Sequence, residues 1–154
     1  MVNSKPSAKS GFPPLLYLTY DLQHLADRAL VPDGVGLSQA RIMSGLNMSS
    51  ARSQRHLAAE LHQTESNISR QLQVMKKHGL VSVRRNKKDH RVREVKLTSK
   101  GARVYKQAVK ALAGQQKSLL KLLDQKDIKA FERASGHLLV SLNVKSGTKR
   151  KFAS

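Results

Sequence analysis

Apolar residues near the start of the chain recur at three- and four-residue steps. Leu15, Leu18, Leu22, Leu25 and Ala29 form one stripe, the spacing of an amphipathic helix. Pro13 and Pro14 suit its start, because a proline there gives up an N–H that the first turn cannot pair anyway. Pro32 with Asp33-Gly34 breaks it. Ser38 is placed to cap a second helix carrying Ile42, Met43 and Leu46 and ending near Asn47. A short third helix is expected after Ser53, burying Leu57, Ala58 and Leu61. Thr64 suits an N-cap, with Glu65 in a first turn that favours negative charge. Ile68, Leu72 and Met75 share one face of this fourth helix, and His78-Gly79 supplies its stop.

After Gly79 the period drops from about 3.6 to 2. LVSVRR and RVREVKLT alternate apolar and polar residues, which predicts a two-stranded ribbon turning at Asn86 to His90. Thr98 then caps a long helix through Val104, Ala108, Leu112, Leu119 and Leu122. Asp124 to Asp127 has the form of a capping box for a last helix bearing Ile128, Phe131, Leu138 and Leu142. The expected architecture is mainly α (α+β). A helix over 13–35 precedes a helix-turn-helix, turning at Leu61 to Thr64, and its hairpin over 36–98. Two helices follow over 99–143. Residues 1–12 and 144–154 are basic and poor in apolar residues, and read as disordered tails.

Charge changes the picture next. The 154 residues carry a formal net charge of +19, far more than solubility requires. Such a field favours a polyanion, nucleic acid first and an anionic membrane surface second. Aromatic content of 4% argues against single-strand binding, which needs several exposed rings for base stacking. Cysteine is absent, so disulfides, thiol redox sensing and thiolate metal sites are excluded. The opening MVNSKPSAKS lacks an apolar signal core, and no apolar run approaches the roughly 20 residues of a membrane span. A cytoplasmic, nucleoid-associated protein without membrane partners is expected.

The densest cationic stretch, RRNKKDHRVREVKLTSKG, is the hairpin itself. Arg84, Arg85, Lys87, Lys88, Arg91 and Arg93 can neutralise phosphates there, and Arg91, close to the tip, can enter a narrow minor groove. Asp89 is expected to pair with Arg91 or a neighbouring arginine and so orient the tip; a plain turn-forming Asp is the alternative. On the fourth helix, the face opposite Ile68, Leu72 and Met75 carries Ser66, Arg70, Gln73 and Lys77, with Asn67 and Ser69 at its flanks. These side chains present donors and acceptors to base edges in the major groove, clustered toward the helix N-terminus that a recognition helix inserts most deeply. An ordinary solvated face has the same composition, and it is the basic hairpin next to it that favours the DNA reading.

The stretch from His56 to Gly101 resembles the multiple-antibiotic-resistance-regulator (MarR) family of bacterial transcription regulators. The matching pieces are Leu57-Ala58, Ser69-Arg70, Gly79-Leu80, Asp89-x-Arg91 and Leu97-Thr98-x-x-Gly101, in order and without a gap. The likeness extends less distinctly over roughly residues 13 to 143. The resemblance implies a winged-helix homodimer whose first, fifth and sixth helices interlock, making 13–35 and 99–143 dimerisation helices. It also implies a repressor of a pseudo-palindromic operator in double-stranded DNA. The apolar stripes agree independently, because they hold more hydrophobic surface than the winged helix can cover; a monomeric helical cap is the alternative. Family members often bind a small phenolic or anionic effector, and Tyr17, Tyr20 and His24 are the candidate pocket here, though such residues are also ordinary packing residues.

No enzyme motif is present: there is no GxSxG elbow, phosphate-binding glycine loop or HExxH, and DGVG at 33–36 reads as a turn. The six histidines are scattered, and neither a metal site nor any cofactor is expected. Two rival classes remain: a sequence-tolerant architectural DNA- or RNA-binding protein, and a winged helix that binds only protein, whose exposed face should be apolar.

Overall fold

A computed structural model describes residues 13–47, 52–86 and 92–146. Six helices and three short strands follow in the order α1 (Pro14–Leu30), α2 (Leu37–Asn47), β1 (Arg52–Ser53), α3 (Gln54–Glu60), α4 (Glu65–Lys77), β2 (Val81–Arg85), β3 (Arg93–Leu97), α5 (Ser99–Leu120) and α6 (Gln125–Ser146). One compact unit runs to Gln115 and a second starts at Gln116.

In the first unit α1 opens with Pro13 at the N-cap and Pro14 in the first turn. A single 3-10 turn, Val31–Asp33, ends at Gly34, whose φ of 69° is a left-handed conformation that glycine adopts without Cβ strain. The stripe on α1 is only partly used. Leu22, Leu25 and Ala29 are half-buried, but Leu15 is 63% exposed and Leu18 47%. The fully buried residue is Leu30, one position beyond the expected series.

Ser38 does not cap α2, which starts one residue earlier at Leu37. The Leu37 N–H donates to Oδ1 of Asp27 at 2.7 Å, and the Gly36 N–H to Oε1 of Gln39 at 3.4 Å. A carboxylate from the neighbouring helix accepts more strongly than a local hydroxyl and also meets the positive end of the helix dipole. The cap is tertiary, so the residues next to α2 do not reveal it.

The expected cap of α4 is present, and α3, which starts after Ser53 as expected, is capped by that residue. Ser53 Oγ accepts from the His56 N–H at 3.1 Å, and Thr64 Oγ1 from the Asn67 N–H at 3.2 Å. Between them His62 takes φ 52°, the one left-handed non-glycine among the described residues, while the Gln63 N–H donates back to the Ala58 carbonyl at 2.9 Å. The stop of α4 is a Schellman motif. Gly79 has φ 72°, its N–H donates to the Lys76 carbonyl at 2.9 Å, and that of Leu80 to Met75 at 2.8 Å.

The ribbon is larger than expected. β3 sits between β2 and β1 in a three-stranded antiparallel sheet, with Val83 opposite Val95 and Arg52 also opposite Val95 from the other side. A two-residue strand is too short to alternate, so no periodic signal marks β1. One core joins Leu30, Ile42, Met43, Leu46, Leu57, Ile68, Leu72, Met75, Leu80, Val81 and Val95, so α1–α4 and the sheet bury their apolar faces together.

At the base of the hairpin, Thr98 does more than cap α5. Its Oγ1 accepts from the Gly101 N–H at 3.0 Å and donates to the Gly79 carbonyl at 2.6 Å. The Thr98 N–H donates to the Leu80 carbonyl at 3.0 Å, and Lys100 Nζ to the His78 carbonyl at 3.0 Å. Gly101 is pressed against the same segment, so that a Cβ there would stand 2.0 Å from the Leu80 oxygen.

In the second unit, α5 ends at Leu120, so that Leu122, expected within the helix, lies in the turn after it and is 80% exposed. Asp124 Oδ1 accepts from the Asp127 N–H at 2.8 Å, the cap the sequence predicts for α6. That helix reaches Ser146, past the boundary expected at residue 143. The expected tail at 1–12 lies outside the described residues, as does the part of the one expected at 144–154 that follows Ser146.

Gly101→Ala should destabilise the protein by about 3 kcal/mol, because the contact is with backbone that cannot swing aside. Thermal unfolding of the purified variant measures this, and a melting temperature equal to wild type would contradict the close approach. Asp27→Ala should cost about 1 kcal/mol by removing the α2 cap, whereas Ser38→Ala should be neutral in the same measurement.

Candidate nucleic-acid interface

The helix-turn-helix presents α4 with its apolar side sealed in the core: Ile68 and Met75 are completely buried and Leu72 nearly so. Helical geometry then turns the opposite side outward. Ser66, Arg70, Gln73 and Lys77 are exposed there, and Ser69 and Asn67 are half-buried at the flanks. Ser66, Ser69, Arg70 and Gln73 line one open depression together with Gln54 and Glu65.

The flanking Asn67 has a different situation from its neighbours. Its Nδ2 donates to Gln63 Oε1 at 3.1 Å, and its Oδ1 accepts from Gln71 Nε2 at 3.4 Å. Gln71 Nε2 also donates to Gln63 Oε1 at 3.1 Å. Three amides thus brace the turn against the first half of α4. Their side chains occupy the Asn67 groups that a bidentate contact to adenine would use.

The hairpin carries charge on both faces beyond the core. Partners across an antiparallel pair project to the same side, so Arg84 opposes Glu94 and Arg85 opposes Arg93. Glu94 also accepts from Asn86 Nδ2. Arg85 and Arg93 therefore stand directly opposite each other, both exposed, on the side that buries Val83 and Val95 nearer the core. Like charges in that relation cost stability. Lys87, Lys88, Asp89 and Arg91 lie outside the described residues.

Sequence reasoning missed three contributions to this surface. β1 widens the sheet, and Arg52 on it forms a half-buried ion pair and hydrogen bond with Glu60 of α3, the side chains 18% and 24% exposed. The hairpin is thereby joined to the helix-turn-helix through β1. Gln54 crosses from the start of α3, its Nε2 donating to the Glu65 carbonyl at 3.2 Å. Glu65 itself lies beside Arg55, 3.9 Å from its Nε. Both Gln54 and Glu65 are polar residues beside expected N-caps, which is the signal that was available.

Tyr17, Tyr20 and His24, expected around an effector, all stand on the exposed side of α1. Tyr20 and His24 meet edge to face with ring centroids 4.3 Å apart. Among the described residues, no helix is long and apolar enough to cross a membrane.

Residues 33–92 match the model of the MarR family. No curated protein matches the chain. Among solved structures, wild-type MarR (apo form) from E. coli is similar with a TM-score of 0.75 and 20% identity, over 84% of this chain and 99% of that one. CouR, a transcriptional repressor bound to a 23-mer DNA duplex, gives a TM-score of 0.74 at 21% identity, over 81% of this chain and 89% of that one. The M. tuberculosis transcriptional regulator MOSR in complex with DNA gives 0.62 at 25% identity, over 83% and 94%. The fold likeness covers the helices on both sides of the matched segment. With the helix-turn-helix, the three-stranded sheet and the Leu97-Thr98-x-x-Gly101 junction in place, this chain has the winged-helix fold of these structures, and its residues 33–92 are similar to the MarR family.

Proposed function

We propose that this chain is a sequence-specific, double-stranded-DNA-binding transcription regulator, a homodimer that represses by occupying a pseudo-palindromic operator. The observation that carries the reading is the pairing of two surfaces on one core. α4 turns Ser66, Ser69, Arg70, Gln73 and Lys77 outward, and the adjoining sheet ends in Arg84, Arg85 and Arg93. The first set suits base edges and the second suits phosphates. Lys87, Lys88 and Arg91 extend the cationic run in sequence, with Asp89 as the group that orients it. The opposed pair of Arg85 and Arg93 costs the free protein stability, and a phosphate would remove that cost. CouR and MOSR, both similar in fold, have been solved with DNA.

Dimerisation is supported by apolar surface without cover in a single copy. On α1, Leu15 and Leu18 share a face and are 63% and 47% exposed, and on α6 Phe131, Leu138 and Leu142 share one and are 49%, 56% and 60% exposed. Exposed apolar stripes of this length mark an interface, and a second copy offers the same stripes. Two-fold symmetry then calls for half-sites roughly one DNA turn apart. Tyr17, Tyr20 and His24 on α1 are the proposed contact for a small phenolic or anionic effector, one that would alter the spacing of the two recognition helices.

Selection from randomised duplex DNA at physiological salt, paired with light scattering, tests this reading. A dimer that enriches an inverted repeat is expected. A monomer, or charge-driven binding with no motif, would replace it with an architectural role. Arg70→Ala should weaken operator binding by about 1–3 kcal/mol and relax one base position; equal loss on random DNA would contradict base contact. Arg93→Thr should raise the stability of the free protein by about 0.5 kcal/mol at low salt while flattening the salt dependence of DNA binding. An unchanged salt slope would remove Arg93 from the phosphate contacts.

A further inference from the structure

Among the described residues lining the depression on the recognition face, one is acidic. Glu65 opens α4 beside Gln54, Ser66, Ser69, Arg70 and Gln73, in a chain that carries 29 basic residues to 10 acidic ones. An acid on a surface facing phosphates repels every DNA sequence alike. Its local roles are small. α4 already has the Thr64 cap, and the contact with Arg55 is long at 3.9 Å, between side chains 59% and 89% exposed. Such a pair contributes little.

The placement of Glu65 is nonetheless fixed. Gln54 Nε2 holds its carbonyl at 3.2 Å, which ties the first turn of α4 to the start of α3. Positions 65, 69 and 73 follow one another at the four-residue step that puts side chains on one face, so the carboxylate shares its side of the helix with Ser69 and Gln73. It stands in the turn that a recognition helix inserts most deeply.

We infer that Glu65 is a specificity-determining residue, accepting a hydrogen bond from the N4 amino group of cytosine in the major groove. The inference rests on the DNA-reading function proposed above. A carboxylate is acceptor only. Guanine offers it two acceptors and thymine one, and both are repelled. Adenine has an amino donor, but its N7 lone pair lies next to it and opposes the second carboxylate oxygen. Cytosine has a C–H at the corresponding edge, so it alone gives the donor without an adjacent acceptor. Repulsion from the wrong bases contributes to the selectivity along with the hydrogen bond to the right one.

The test is selection from randomised duplexes at physiological salt with the full chain, as wild type, Glu65→Gln, Glu65→Ala and Glu132→Gln. The last makes the same change in net charge at an exposed position on α6. Wild type and Glu132→Gln should enrich cytosine at one position of each half-site. Glu65→Ala should lose that preference, discrimination there falling on the order of tenfold, while its affinity for random duplex rises. Glu65→Gln, with an amide that both donates and accepts, should tolerate more than one base. A wild-type motif that survives unchanged in both Glu65 variants overturns the assignment of Glu65 and leaves the DNA-reading function standing. Equal loss in Glu132→Gln overturns it as well, by making net charge the cause. If wild type enriches no motif at all, the DNA-reading function fails and takes this assignment with it.

Discussion

The backbone of Leu80 is where three elements meet. α4 ends one turn before it, with the Leu80 N–H closing the Schellman motif on Met75. β2 begins one residue after it. Its carbonyl accepts from the Thr98 N–H at the foot of α5, while the Thr98 hydroxyl reaches the carbonyl of Gly79. Gly101 approaches so closely that only a hydrogen fits in place of a side chain. α4, the sheet and the start of α5 are therefore set against one another largely by backbone contacts, with the Thr98 hydroxyl as the side-chain link. Backbone hydrogen bonds and a glycine contact tolerate little displacement, so the outward face of α4 is held firmly relative to the sheet.

Charge is distributed around that frame in two ways. Arg52 meets Glu60 in an ion pair, and Arg84 stands across the ladder from Glu94. Half-burial lets the Arg52 pair join β1 to α3 without the full desolvation cost of a deep ion pair. Toward the tip of the hairpin the rule reverses, and Arg85 faces Arg93. The chain as a whole carries a formal net charge of +19. The free protein carries that repulsion. Glu65 stands out because it is the one acidic residue among the described residues lining the depression on α4, in a chain with 29 basic residues to 10 acidic ones.

The apolar surface is also divided. The first unit closes its own core among α1–α4, the sheet and the start of α5, with Ala108 of α5 fully buried. The outer half of α1 remains exposed, and within the second unit so do Phe131, Leu138 and Leu142 of α6. Hydrophobic burial is roughly proportional to the area removed from water, so these exposed positions add nothing to the stability of a single copy.

Periodicity along the sequence was sufficient for the helices, because burial of one face repeats every three or four residues and a cap is written in the next few. Thr64, Ser53, Asp124 and the His78-Gly79 stop all lie beside the turns they serve. The outward face of α4 followed from its inward face, as the two are opposite sides of one helix. What the sequence did not disclose depends on residues distant along the chain. The α2 cap comes from Asp27, ten positions before Leu37. β1 is a strand only because β3 offers it a ladder. Asn67 reads as a base contact by type, yet its amide meets Gln63 and Gln71. Gln54 and Glu65 joined the candidate surface only when α3 was laid across α4. Local hydrogen bonding and the hydrophobic period are short-ranged and are written in neighbouring residues; charge pairing, borrowed caps and edge strands depend on which segments meet, and that is settled only when the core closes.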